Sequence, residues 1–164
     1  MSSYLETSFL VSLYAADVNS PAAAAYIGHA SGPFPLTSFC ELELSNAIQL
    51  RVFRREITPG QAKAAMANVA TDVSSGMFSV VATPVAVYET AQQLVRTQTA
   101  NLGVRTLDIL HVAAALVLKA DGFYTFDRRQ AQWARVAGLA APVAFRSRAR
   151  QAVFRDTPHR TITS

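Results

Sequence analysis

In the stretch Thr106-Leu107-Asp108-Ile109-Leu110-His111-Val112, running on without a charge to Leu118, Thr106 is expected to cap a helix apolar nearly all round, Leu107–Lys119. It gives way to a strand, Gly122 to Thr125, and then to Asp127, an acid placed to cap the next helix. A fully buried helix followed at once by a short strand and a capped helix belongs to an α/β layer fold. Working outward, the same alternation recurs. Ser3–Leu5, Phe34–Thr37 and Phe78–Ala82 read as short strands, with Val143–Phe145 as a last edge strand. Helices are expected over Phe9–Ala16, Ala22–Ala30 behind Pro21, Phe39–Arg55 behind an N-capping Ser38, Pro59–Val73 and Pro84–Asn101. Asp127 opens a final helix that reaches Ala137 and stops at Gly138. The expected architecture is a three-layer α/β sandwich, a short, mostly parallel sheet flanked by helices.

Composition narrows the function classes. The chain has 164 residues, 51% of them apolar and 16% charged, enough for one domain with a core and too apolar for a disordered chain. The run Val112–Leu118 is far shorter than the roughly 20 residues of a membrane span. No basic residue occurs among the first ten, which argues against a secretory leader. Cys40 is the single cysteine, so neither an internal disulfide nor a Cys-rich zinc site is available. A cytoplasmic protein that makes no use of a membrane is expected. Neither GxGxxG nor GxxxxGK[ST] occurs, which disfavours dinucleotide binding and P-loop chemistry. The net charge of +4 is concentrated in the last 19 residues, where five arginines face Asp156 alone. Residues 1–145 are therefore expected to form the domain and residues 146–164 a flexible basic tail.

With so few charges, four acids stand out. On the helix from Phe39 to Arg55, at about 100° per residue, Phe39, Leu42, Ala47, Leu50 and Phe53 share one arc, expected to be the core face. Glu43 falls inside that arc, where a carboxylate is costly unless paired or bound to a cation. Glu6 ends the first strand, Asp127 follows the last, and Asp108 opens the buried helix on the same side. The C-terminal edge of a parallel sheet is where ligands bind, and four acids gathered there need a cation. Hard oxygen donors suit Mg²⁺ or Mn²⁺, ions that promote phosphodiester hydrolysis.

These segments resemble the PIN-domain ribonucleases, in particular VapC-type toxins of toxin–antitoxin pairs. Tyr4-Leu5-Glu6-Thr7-Ser8 is similar to the family's opening strand and Asp-Thr-Ser. Glu43-Leu44-Ser45-Asn46-Ala47, Arg105-Thr106-Leu107-Asp108-Ile109-Leu110-His111 and Phe123-Tyr124-Thr125-Phe126-Asp127-Arg128-Arg129 resemble its three further acidic motifs, in order. The resemblance covers residues 1 to about 143. It implies that Glu6, Glu43, Asp108 and Asp127 are the catalytic and metal-binding residues, that Ser8 and Thr125 support them, and that Mg²⁺ or Mn²⁺ is the cofactor. It also implies a structured RNA substrate such as tRNA, a cognate antitoxin, and a homodimer or toxin–antitoxin hetero-oligomer. Arg51, Arg55, Arg128 and Arg129 are the candidate RNA contacts, the first two expected one helical turn apart. His111 and Trp133 are expected to be packing residues, and Tyr14, Tyr26 and Val52 to be exposed.

The chain departs from the family pattern at Glu6, where aspartate is usual. The extra methylene moves the carboxylate by about 1.5 Å, a displacement that can cost on the order of 100-fold in rate. Glu6→Asp is therefore expected to retain or raise activity. The alternative is a catalytically weakened PIN-like binding module acting within a toxin–antitoxin complex. A phosphatase of the haloacid-dehalogenase type is disfavoured, because its Asp-x-Asp pair would fall where residues 6–8 read Glu-Thr-Ser.

Overall fold

The computed structural model describes residues 2–142. The tail and the strand expected over Val143–Phe145 lie outside the described residues. In chain order the elements are β1 (Ser3–Leu5), α1 (Thr7–Tyr14), α2 (Ser20–His29), β2 (Phe34–Thr37), α3 (Ser38–Phe53), α4 (Pro59–Ser74), β3 (Phe78–Val81) and α5 (Val85–Leu94). A π-helical turn (Val95–Thr99) leads into α6 (Ala100–Leu102), α7 (Thr106–Val117), β4 (Gly122–Tyr124) and α8 (Arg128–Val136).

The strands form two parallel pairs, β1 with β4 and β2 with β3. β1 and β2 also lie against one another, so the pairs share one layer. Each strand ends where a new segment must turn over the sheet, and parallel pairing brings the ends of β1 and β4 to the same edge. The amide of Glu6 continues the β1–β4 ladder, donating to the Tyr124 carbonyl at 3.0 Å.

Helices cover both sides of that layer, and two apolar clusters hold them. One gathers β1, β2, α1, α3 and α4 around Leu5, Phe9, Phe34, Leu44 and Ile48. The other is built on α7, whose Ile109 and Val112–Ala115 pack against α5, β4 and α8. The expectation of a buried α7 holds at the level of its side chains: every residue from His111 to Ala115 is buried. Helix ends follow local chemistry. Thr58 and Gln61 form a reciprocal capping box at α4, and Asp127 caps α8 by accepting from the amides of Arg129 and Gln130. After α6, Gly103 adopts φ 62°, the left-handed conformation that glycine takes without steric cost.

Three local expectations are corrected. Ser38 is not an N-cap: the cap position is Thr37, which makes no side-chain capping bond, and the Ser38 hydroxyl meets that of Thr83 instead. Thr106 likewise falls inside α7, with Arg105 at the cap. The core face of α3 is also rotated from the arc that Phe39 and Leu42 suggest. Cys40, Leu44 and Ile48 are buried, whereas Leu42 is 71% and Phe53 83% exposed and Leu50 is exposed as well. Apolar residues occupy more than half of this helix's circumference, so periodicity alone admits two stripes; the contacts with Leu5 and Phe34 select the second.

Candidate active site

Four elements deliver side chains to one cavity of about 680 Å³ at the C-terminal ends of β1 and β4. Glu6 comes from the end of β1, Glu43 from the second turn of α3, Asp108 from the first turn of α7, and Asp127 from the cap of α8. All four acids line the cavity, together with Thr7, Ser8, Asn46, Arg54, Arg105 and Gln130. They do not stand there equally.

Glu6 and Glu43 form the floor. Glu6 is 6% exposed, and its Oε2 accepts three hydrogen bonds: from the Ser8 amide at 2.9 Å, the Ser8 hydroxyl at 2.5 Å and the Thr125 hydroxyl at 2.8 Å. The first of these also makes Glu6 the N-cap of α1. Glu43 is half-buried, and its Oε2 accepts from the Thr7 hydroxyl and meets His111 Nε2, each at 2.5 Å. In both glutamates Oε1 takes no protein hydrogen bond among the described residues, so each carboxylate has one oxygen held and one bare. Ligating atoms of Glu6, Glu43 and His111 lie within 4.8 Å of one another.

The electrostatics of the two floor acids differ. Burial raises the Glu6 carboxyl above the usual carboxylate range, and the fields and hydrogen bonds of His111, Ser8 and Thr125 only partly offset it. Burial pushes Glu43 the same way, but the hydrogen bond from the adjacent His111 ring, with that of the Thr7 hydroxyl, holds it below its ordinary value.

Asp108 and Asp127 form the rim and share a counter-ion. Arg105 grips Asp108 with two nitrogens, at 3.0 and 3.3 Å, and reaches Asp127 at 3.9 Å. Asp127 spends Oδ1 on the amides of Arg129 and Gln130, leaving Oδ2 toward Arg105. The guanidinium is mostly exposed, so this bridge is held weakly against solvent and salt.

Ser8 and Thr125 stand where the sequence suggested, beneath Glu6, with their hydroxyl oxygens 3.0 Å apart. The basic candidates divide. Arg51 is committed to the fold: it donates to the carbonyls of Ala15 and Ala16 and pairs with Glu56. Arg55 lies beyond α3 with φ 60°, so the two do not form the helical neighbour pair that was expected. Arg128 and Arg129 are exposed at the start of α8, Arg129 lining a second pocket with Arg105 and Asp127.

Three residues carry more of the site than their sequence context announces. His111 is 1% exposed and touches Glu43, not merely the core. Its position one helical turn after Asp108 was the available signal. Thr7 sits in the family-like opening and serves Glu43 across the cavity. Gln130 is buried, its Oε1 stands 3.3 Å from the Thr125 hydroxyl oxygen, and its Nε2 has no partner among the described residues. Trp133 packs as expected, donating its Nε1 to Gln98 at 2.6 Å. Tyr14 and Tyr26 are not free apolar surface: their hydroxyls bond Asp72 and Ser3, at 2.6 Å each.

A parallel α/β layer with acids gathered at its strand ends defines the class of protein, and the sequence places it. The chain belongs to the PIN domain family, whose profile matches residues 3–138. Among solved structures it is similar to the toxin VapC20 of Mycobacterium tuberculosis, described as cleaving the sarcin–ricin loop, with a TM-score of 0.65. The match spans 85% of this chain and 97% of that one at 18% identity, a likeness of fold. No curated protein sequence matches the chain.

Proposed function

We propose that this chain is a Mg²⁺- or Mn²⁺-dependent endoribonuclease toxin that cleaves structured RNA, such as tRNA, and is neutralised by a cognate antitoxin. The observation that carries the reading is the paired arrangement of Glu6 and Glu43. Each has Oε2 saturated by protein donors and Oε1 bare, and both line one cavity. Two buried or half-buried carboxylates facing one another repel unless something positive lies between them. Hard anionic oxygens fit Mg²⁺ or Mn²⁺ well and a soft metal poorly.

Glu6 and Glu43 would hold the ion, with Asp108 and Asp127 reaching it from the rim. Bound there, it would supply Lewis-acid activation of water and of the scissile phosphate. The chain's own residues do the rest. Ser8, Thr125 and Thr7 fix the two carboxylates, so that no reorientation is needed during the reaction. Arg105, Arg54 and the exposed Arg128 and Arg129 offer cations for the RNA backbone around the cavity mouth. The substrate class is taken by analogy from the fold relative, described as cleaving the sarcin–ricin loop. A toxin of this kind would work in the cytoplasm as a homodimer or within a toxin–antitoxin hetero-oligomer. No helix among the described residues is long and apolar enough to cross a membrane.

The test is calorimetric Mn²⁺ titration alongside cleavage of total tRNA and ribosomal RNA by wild type and Asp108→Ala. Saturable Mn²⁺ binding, and cleavage that Asp108→Ala reduces by about 100-fold, are expected. A wild-type chain that takes up no Mn²⁺ at millimolar concentration would favour a catalytically weakened module instead.

A further inference from the structure

Behind Glu43 lies a buried line of polar groups that metal ligation alone does not require. The Tyr4 hydroxyl stands 3.0 Å from His111 Nδ1, and His111 Nε2 stands 2.5 Å from Glu43 Oε2. Tyr4 is wholly buried and His111 very nearly so, in a layer otherwise made of Phe39, Phe123 and the alanines of α7. Polar atoms are kept in such surroundings only when each has a partner.

The proton count fixes the direction of the line. Thr7 has one hydroxyl hydrogen, and its shortest partner is Glu43 Oε2, at 2.5 Å against 3.2 Å for His111 Nε2. A carboxylate oxygen only accepts, so Nε2, facing that same oxygen, must carry a hydrogen. In the neutral ring Nδ1 then holds the lone pair, and the Tyr4 hydroxyl supplies the hydrogen it needs. The ring is locked from its flanks as well: Phe39 and Tyr4 lie 4.9 and 5.9 Å from it, centroid to centroid.

We infer that Tyr4 and His111 form a positioning relay: the Tyr4 hydroxyl fixes the Nε2–H tautomer of His111, which pins Glu43 Oε2 and turns Oε1 toward the cavity. The inference rests on the metal-site reading of that cavity. His111 is a positioning residue here, acting through Glu43, and Tyr4 acts through His111. The relay accounts for a tyrosine hydroxyl and an imidazole in an apolar layer where phenylalanine and leucine would otherwise pack.

The tautomer is read directly by ¹⁵N NMR of the imidazole ring in the metal-free protein, and the ligand geometry by Mn²⁺ calorimetry. Wild type is expected to show protonated Nε2 and bare Nδ1. Tyr4→Phe keeps the stacked ring, so the fold survives; the tautomer is expected to become mixed and Mn²⁺ affinity to fall. His111→Asn, whose amide reaches only the Nδ1 position, is expected to lose about 10- to 100-fold in Mn²⁺ affinity, the range for partners that orient a ligand. His111→Gln places an amide N–H at the Nε2 position and is expected to recover most of that loss. A merely structural histidine would not separate Gln from Asn in this way. A ring protonated on Nδ1 in wild type, or His111→Asn binding Mn²⁺ as tightly as wild type, overturns the relay. Wild type that shows the Nε2–H tautomer but binds no Mn²⁺ sinks the metal reading and leaves the hydrogen-bonded relay standing.

Discussion

The floor and the rim of the cavity hold their acids by opposite means. Glu6 and Glu43 are fixed by neutral donors from beneath: hydroxyls of Thr7, Ser8 and Thr125, one backbone amide, and the His111 ring. Asp108 and Asp127 are bridged by a single exposed guanidinium. Hydrogen bonds from neutral groups orient a carboxylate while leaving its charge for a ligand. An ion pair spends that charge on a partner which must move before anything else can bind. The floor is thus built in advance, and the rim is open to exchange.

The widest test of this contrast removes a floor acid. Glu43→Ala is expected to abolish Mn²⁺ binding and to reduce RNA cleavage by at least about 100-fold, since a misplacement of only 1 Å already costs that much. Retained calorimetric binding would mean that the floor is not where the ion sits. Asp108→Ala is expected to separate the two readouts, with cleavage lost by about 100-fold while Mn²⁺ affinity drops by only about 10-fold. Equal losses in both would erase the distinction between floor and rim.

Glu6→Asp addresses the departure from the family pattern. Aspartate is a good N-cap, so α1 retains its capping acceptor, and cleavage is expected to be retained or raised. A fall in both Mn²⁺ affinity and cleavage would identify Glu6 as a ligand tuned to its length. Arg105→Ala should then move two readouts in opposite directions: a few-fold tighter Mn²⁺ binding at low ionic strength, fading at high salt, with weaker RNA cleavage.

The smallest expected effect is on stability, and its sign follows from Glu6. Because burial raises its pKa in the folded chain, wild type loses stability as pH rises from about 4.3, the unfolded value, through the folded one. Glu6→Gln has no such titration. Its melting temperature relative to wild type is expected to match at low pH and to become progressively higher as pH increases, even though it binds Mn²⁺ poorly. A difference that is flat with pH would contradict a buried carboxyl with a raised pKa at position 6.

Much of this was legible before any coordinates. Asp127 was readable because an acid directly after a strand and before a helix has two local jobs, capping and edge placement, and both leave a mark in neighbouring residues. Glu43 was placed on the site for a partly mistaken reason. The arc through Leu42, Leu50 and Phe53 is exposed, and Glu43 sits instead at the rim of the Cys40–Leu44–Ile48 stripe. It still faces the cavity, because the two candidate stripes share that edge.

The amino-acid order by itself determined the succession of strands and helices, the parallel α/β class, and the four acids at strand and helix ends, since capping, turn chemistry and apolar periodicity act between residues a few positions apart. Only the tertiary structure decided how those acids divide into floor and rim, and that His111 serves Glu43. His111 and Glu43 are 68 positions apart, and Tyr4 and His111 are 107 apart. Hydrogen bonds across such separations exist only once β1, α3 and α7 have packed together, and no local pattern encodes them.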